Sequence, residues 1–251
     1  MHRTLTIAAV SYANTFPFVY GIENSRLIDN FQLQLFPPAG CAASFASGDA
    51  DIALVPVGAL PSLSGYRIIS EYCIGAVKEV KTVLLLSNKK IKDIRSIGLD
   101  HESATSVKLV KIFARHHWHI QPAWQVMEVC NPEAYQQTDA VVAIGDKAIS
   151  LSKKFLYQTD LAAEWRNFTG LPFVFAVWIC RNDLPAAKEN SFSAALQYGI
   201  DNISKVVEKY KTRLAADFDL EGYYQHNIDY HLDKEKKQSL QKFLTFVAEI
   251  V

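Results

Sequence analysis

Leu5, Ile7 and Ala9 alternate with Thr4, Thr6 and Ala8, a period of two that predicts a strand over 5–10. A second strand follows, where Phe31, Leu33 and Leu35 alternate with Gln32 and Gln34 and the run stops at Pro37-Pro38. Small residues over 40–46 suit a helix, with Gly48 placed to cap its C-terminus. Residues 52–55 are apolar without interruption, as expected of a strand buried on both faces. Further strands are predicted at 68–69, 80–86, 97–99, 123–127 and 140–144, and the longest apolar run spans 171–180. Among them, residues 106–118 have helical spacing, with Val107, Val110, Phe113 and Ala114 on one side.

From Asn190 onward the period becomes helical. Phe192, Ala195, Leu196, Ile200, Ile203, Val206, Val207 and Tyr210 form one apolar stripe. Asp233 is placed to cap a last helix whose stripe is Leu240, Phe243, Leu244 and Val247. Alternating strands and helices followed by helices predict an α/β protein. The strands 80–86 and 173–180 bracket a middle unit. That predicts two α/β lobes, residues 1–86 with 177–251 and residues 87–176, joined by two crossover strands with a ligand cleft between them.

Composition narrows the partners. Lysine plus arginine is 26, matched by 26 aspartates and glutamates, so no net basic charge supports a nucleic-acid surface across the whole chain. An apolar fraction of 49% excludes disorder. No apolar run reaches the ~18 residues of a membrane span. Asn14 interrupts the opening run too early for a signal-peptide core. Cys41, Cys73, Cys130 and Cys180 are far apart and form no C-x-x-C, which predicts reduced, mostly buried thiols in a cytoplasmic protein. The expected partner is a small molecule, with no nucleic acid and no membrane, and the chain a monomer or homodimer.

Three turns that follow strands carry the candidate chemistry. Ser11, Tyr12, Asn14 and Thr15 offer hydroxyls and an amide beside backbone N–H groups, a set able to hold a carboxylate. Ser103, Thr105 and Ser106 open the 106–118 helix, whose N-terminus has unpaired N–H donors and a positive partial charge. Gly145 lets backbone approach a ligand closely, and Asp146 suits a general base or a ligand contact. Helix caps favour the same residue types, so capping is the alternative use of each turn. Two anion-suited turns, one in each lobe, argue for a shared site. The tract 160–178 reads mostly as core and hinge, with an aromatic or two placed to wall a cleft. His116 and His119 share a helix face without further ligands nearby, so no metal site is expected.

Together these segments resemble the chorismate dehydratases of menaquinone biosynthesis by the futalosine pathway. Val10-Ser11-Tyr12-x-Asn14-Thr15-x-Pro17 is similar to that family's opening turn. Ser47-Gly48-x-x-Asp51-x-Ala53-Leu54-Val55-Pro56-Val57 resembles its helix-to-strand step. Leu99-Asp100-x-x-Ser103-x-Thr105-Ser106-Val107 resembles its second anion-binding turn, and Ile144-Gly145-Asp146 with the 160–178 tract its distal half. There are departures. Thr82 stands where the family usually has serine, Gly75-Ala76-Val77 replaces a Gly-Pro-Val turn, and Ala104 takes the place of an arginine often found in the second turn.

The resemblance implies a periplasmic-binding-protein-like fold of the second type and a hydro-lyase reaction. The C3 proton and C4 hydroxyl of chorismate leave, and the ring becomes aromatic as 3-[(1-carboxyvinyl)oxy]benzoate. An elimination without redox change implies no metal and no organic cofactor. The dianionic substrate would be held by neutral donors. Ser103, Thr105, Ser106 and their helix N-terminus would take one carboxylate, while Ser11, Asn14 and Thr82 orient the other end and the leaving hydroxyl. Tyr12, Thr15 and Gly145 would complete the binding set, and Asn14, Thr82 and Asp146 are the expected catalytic residues. The proton acceptor stays open between Asp146, the weaker candidate Glu102 and the substrate's own enolpyruvyl carboxylate. Two other readings remain: a non-catalytic solute-binding protein for a small carboxylate, and the related lyase of the same pathway.

Overall fold

The computed structural model describes residues 4–129, 135–215 and 217–250. Strand β1 (Leu5–Val10) runs through a 3-10 turn, Ala13–Thr15, into helix α1 (Phe16–Asn24). Next come β2 (Phe31–Phe36), α2 (Pro38–Ser47) and β3 (Ile52–Pro56). Pro38 opens α2, and Gly48, at φ 94°, closes it as the sequence predicts. A 3-10 segment, Val57–Ser62, leads to β4 (Tyr66–Ala76). The middle of the chain supplies β5 (Val83–Ser87), β6 (Ser96–Asp100), α3 (Ala104–His116), β7 (Ala123–Met127), β8 (Ala140–Ile144), α4 (Gly145–Ser152), β9 (Tyr157–Asp160) and α5 (Leu161–Thr169). The chain then returns through β10 (Phe173–Arg181), α6 (Ala186–Asp201), α7 (Ile203–Tyr210), a π-helical turn (Tyr223–Asn227), β11 (Asp229–His231) and α8 (Lys234–Ile250).

Two mixed sheets result, one in each lobe. The first has the order β11-β4-β10-β3-β1-β2 and the second β7-β6-β8-β5-β9. In the first, β1 is parallel to β2 and β3, whereas β10 is antiparallel to β3 and β4. In the second, β6 is parallel to β7 and β8, and β5 is antiparallel to β8 and β9. β3 and β8 are buried along their whole length, and one apolar core runs from Ile7 and Val55 in the first lobe to Ile97 and Val110 in the second.

The strand expected over 80–86 starts at Val83 instead. Lys81 has φ 62°, and extended backbone cannot run through that conformation. β5 therefore belongs wholly to the second sheet and β10 wholly to the first. The chain passes between sheets through 77–82 and 161–172. The second passage includes α5, where the sequence predicted core and hinge. Asp160 caps α5 by accepting from the N–H groups of Ala162 and Ala163 at 2.9 and 3.1 Å. The long helical stripe is split at Asn202, which leaves helical dihedrals (φ −114°, ψ 35°) while its side chain donates to Tyr198 O. Asp233 caps α8 as predicted, accepting from Lys236 N–H at 2.8 Å. Cys41, Cys73 and Cys180 are buried free thiols, and Cys130 lies outside the described residues. Among the described residues no helix is long and apolar enough to cross a membrane.

Candidate functional site

β1 ends where Ser11 N–H donates to Phe36 O at 2.9 Å, and the chain turns out of the first sheet. The following residues face the N-terminus of α3 across a cavity between the lobes, with about 60 Å³ open to the centre of a water molecule. Tyr12, Asn14 and Thr15 line it from the first lobe, and Ser103, Thr105, Ser106 and Gly145 from the second. Val10, Ile74, Val83, Ile144 and Phe175 supply apolar walls, so one aromatic of the 160–178 tract does face the cleft. None of the lining side chains carries a charge.

Within the first turn, the Thr15 hydroxyl donates to Asn14 Oδ1 at 3.1 Å, which leaves the Asn14 NH2 as its donor end. Across the cavity, Ser103 Oγ caps α3 by accepting from Ser106 N–H. The first N–H groups of a helix have no intrahelical acceptor, so this end presents donors and a positive partial charge. Thr105 has a structural task. Its hydroxyl donates to Phe175 O and accepts from Gly58 N–H, both at 3.0 Å, tying α3 to the first lobe. A side chain at Gly58 would come within 2.5 Å of Ala104 O, so glycine is what lets α3 approach this closely.

The turn after β8 is similarly constrained. Gly145 has φ 58°, and a Cβ there would lie 2.5 Å from the Tyr12 ring. Tyr12 thus packs against second-lobe backbone, and its hydroxyl donates to Glu102 Oε2 at 2.7 Å. Burial, then this bond to Glu102, pushes the phenol pKa above its ordinary value. Lys147 Nζ reaches the same Glu102 oxygen at 2.6 Å and the buried Asp100 at 3.4 Å. Burial alone would raise the Glu102 pKa, but the hydrogen bonds from Lys147 and Tyr12 outweigh it and hold the carboxyl below its usual range.

Three of the residues expected at the site do not line the cavity. Ser11 sits one step behind it. Thr82 is buried with its hydroxyl 2.7 Å from the Tyr223 hydroxyl. Asp146 accepts from Ala13 N–H at 3.2 Å, a second bond between the lobes, and burial raises its pKa despite that N–H. Among the described residues no group of three or more His, Cys, Asp and Glu could hold a metal ion.

Sequence reasoning overlooked the support behind the first turn. Tyr224 donates to Ala13 O at 2.9 Å and Tyr230 to Asn14 O at 3.0 Å, while Tyr223 holds Thr82. All three tyrosines are buried, and burial raises the pKa of each. The π-helical turn turns the adjacent Tyr223 and Tyr224 inward together. Three tyrosines within eight residues of a polar stretch were the available signal.

A family model described as menaquinone biosynthesis matches residues 5–249. A chorismate dehydratase from Thermus thermophilus is 25% identical, over 96% of this chain and 94% of that protein. Among solved structures, a protein from Archaeoglobus fulgidus superposes with a TM-score of 0.78 at 14% identity, covering 98% of this chain and 97% of that one. A Candida albicans protein described as exhibiting the generic periplasmic binding protein fold gives 0.69 at 12% identity, over 99% and 91% of the two chains. The periplasmic aliphatic sulphonate binding protein of Escherichia coli gives 0.65 at 13% identity, over 100% and 88%. The fold is therefore periplasmic-binding-protein-like.

Proposed function

The chain belongs to the menaquinone biosynthesis family, and from that premise we propose that it is a chorismate dehydratase, a hydro-lyase forming 3-[(1-carboxyvinyl)oxy]benzoate. One observation carries the reading: the inter-lobe cavity is lined by hydroxyls, an amide and a helix N-terminus, with apolar walls and no charged side chain. Such a cavity suits a ring bearing carboxylates. The α3 N-terminus, with Ser103 and Ser106, takes one carboxylate, and Val83, Ile144 and Phe175 flank the ring. Thr105 keeps α3 in place while its hydroxyl is engaged by Phe175 and Gly58.

In this reading the Asn14 amide donates to the C4 hydroxyl as it leaves. The electron pair of the C3–H bond completes the aromatic ring, the C4–O bond breaks, and the C3 proton is passed to the departing oxygen, so water leaves without net proton exchange. Asp146 and the substrate's own enolpyruvyl carboxylate remain the two acceptors. The bond from Ala13 N–H and a position outside the cavity lining favour the carboxylate of the substrate. Thr82 acts from behind Val83, with Tyr223 fixing its hydroxyl.

The test is to incubate the purified protein with chorismate and follow the aromatic product by absorbance and mass. Stoichiometric binding without product would instead make the protein a solute-binding one. Asn14→Ala with unchanged turnover refutes the main assignment. Asp146→Asn at normal turnover supports the substrate as its own base, and collapse with retained folding and binding assigns the role to Asp146.

A further inference from the structure

We propose that Glu102 is a positioning residue that latches the cleft, holding the Tyr12 phenol of the first lobe against the second so that the cavity closes round its ligand. This rests on the cavity being the substrate site.

The latch is asymmetric. Its second-lobe half is built before Tyr12 arrives: Glu102 N–H donates to Asp100 Oδ1 at 3.1 Å, and Lys147 bridges Glu102 Oε2 and Asp100 Oδ2. Asp100 is fully buried beneath them. The first-lobe half is a single side chain, whose ring rests on the Gly145 backbone and whose hydroxyl meets Glu102. Parting the lobes breaks that hydrogen bond yet leaves Glu102 paired with Lys147, so opening strands no carboxylate without a partner. The two forms then differ by little more than one charge-assisted hydrogen bond and the 3.2 Å contact between Ala13 and Asp146. A ligand that touches both lobes can shift such a balance. With its acceptor oxygen shared by Lys147 and Tyr12, Glu102 is disposed as a holder rather than as a base.

The test is a double-variant cycle on Glu102→Ala, Tyr12→Phe and their combination, with Glu102→Gln as the conservative variant. Two readouts are taken: steady-state kinetics with chorismate, and amide hydrogen exchange over 11–15 in the free protein. In both single variants kcat/KM falls about tenfold, the loss of one hydrogen bond to a charged group. In Glu102→Ala the fall comes mainly through KM. The double variant is no worse than the poorer single one, and Glu102→Gln, which keeps an acceptor, lies between wild type and Glu102→Ala. Exchange over 11–15 accelerates equally in Glu102→Ala and Tyr12→Phe. Losses that add in the double variant overturn the latch, as does unchanged exchange in Glu102→Ala. A collapse of kcat in Glu102→Gln at unchanged KM would make Glu102 the base instead. If Glu102→Ala does not fold, the cycle is run with Glu102→Gln. If wild type leaves chorismate unreacted, the dehydratase reading fails while the exchange cycle still decides the latch.

Discussion

Gly145→Ala separates backbone strain from cleft closure, because a second glycine provides the control. Gly145 and Gly170 both occupy the left-handed region, at φ 58° and 76°. A Cβ on Gly170 meets nothing within 4 Å, whereas one on Gly145 lies 2.5 Å from the Tyr12 ring. Alanine in this conformation costs about 1–2 kcal/mol at either position. At roughly 2–4 °C per kcal/mol for a chain of this size, each variant melts about 2–8 °C below wild type. Only Gly145→Ala has a further effect. Relieving its overlap moves the ring by about 1 Å to ordinary contact distance, which pulls the phenol out of its 2.7 Å bond with Glu102. That bond is worth about 1.5–3 kcal/mol, so kcat/KM on chorismate falls by about tenfold or more in Gly145→Ala and stays within about twofold of wild type in Gly170→Ala. Thermal melts and initial rates on the three proteins suffice. Equal kcat/KM in the two variants, or a Gly145→Ala protein that melts like wild type, refutes the reasoning.

Thr105→Val removes a donor to Phe175 O and an acceptor for Gly58 N–H, leaving two buried groups unpaired, so urea unfolding loses about 2–4 kcal/mol while Thr105→Ser loses under about 1. Tyr230→Phe strands Asn14 O; it lowers stability by about 1–2 kcal/mol in the same assay and lowers kcat, because the first turn loses a brace. The pH dependence of stability differs in sign between the two carboxyls that bridge the lobes. Glu102, held below its usual range, stabilises the fold above that range and loses the contribution as pH falls through its own lowered value, so Glu102→Gln flattens the acid arm of a melting-temperature profile. Asp146, raised by burial, contributes most when protonated, and that contribution is lost as pH rises through its raised value. Asp146→Asn therefore gains on wild type from the carboxylate range upward, and parallel profiles would contradict both assignments.

The fold and half of the site could be read in the sequence because both are local. The 5–10 strand, the Gly48 cap, the 140–144 strand and the Asp233 cap each rest on a few adjacent residues, and each is present. The first turn and the start of α3 were legible for the same reason: hydroxyl residues follow strands there, and they line the cavity. What stayed hidden depends on contacts between distant segments. Nothing near Thr82 announces Tyr223, and nothing near Tyr12 announces Glu102 or Lys147. Thr105 has the residue type of a ligand contact, yet its hydroxyl is engaged by Phe175 and Gly58, partners visible only once the lobes are assembled. The short strands β9 and β11 are too brief to show a period, and tertiary pairing alone makes them extended.

The tyrosines behind the first turn also order events during synthesis. Ala13 and Asn14 take their braces from residues 211 and 216 positions later. At ~5–20 residues per second, a nascent chain waits about 10–40 s between making the turn and making its support. Until then Ala13 O and Asn14 O have only solvent or transient partners, and neither lobe's half of the cavity can hold its final shape. The first lobe cannot finish on the ribosome ahead of the second, since its own sheet needs β10 and β11 from the far side of the middle unit. Ligand-binding competence is thus expected to emerge in a single late step, once β11 and its tyrosines have docked, rather than lobe by lobe.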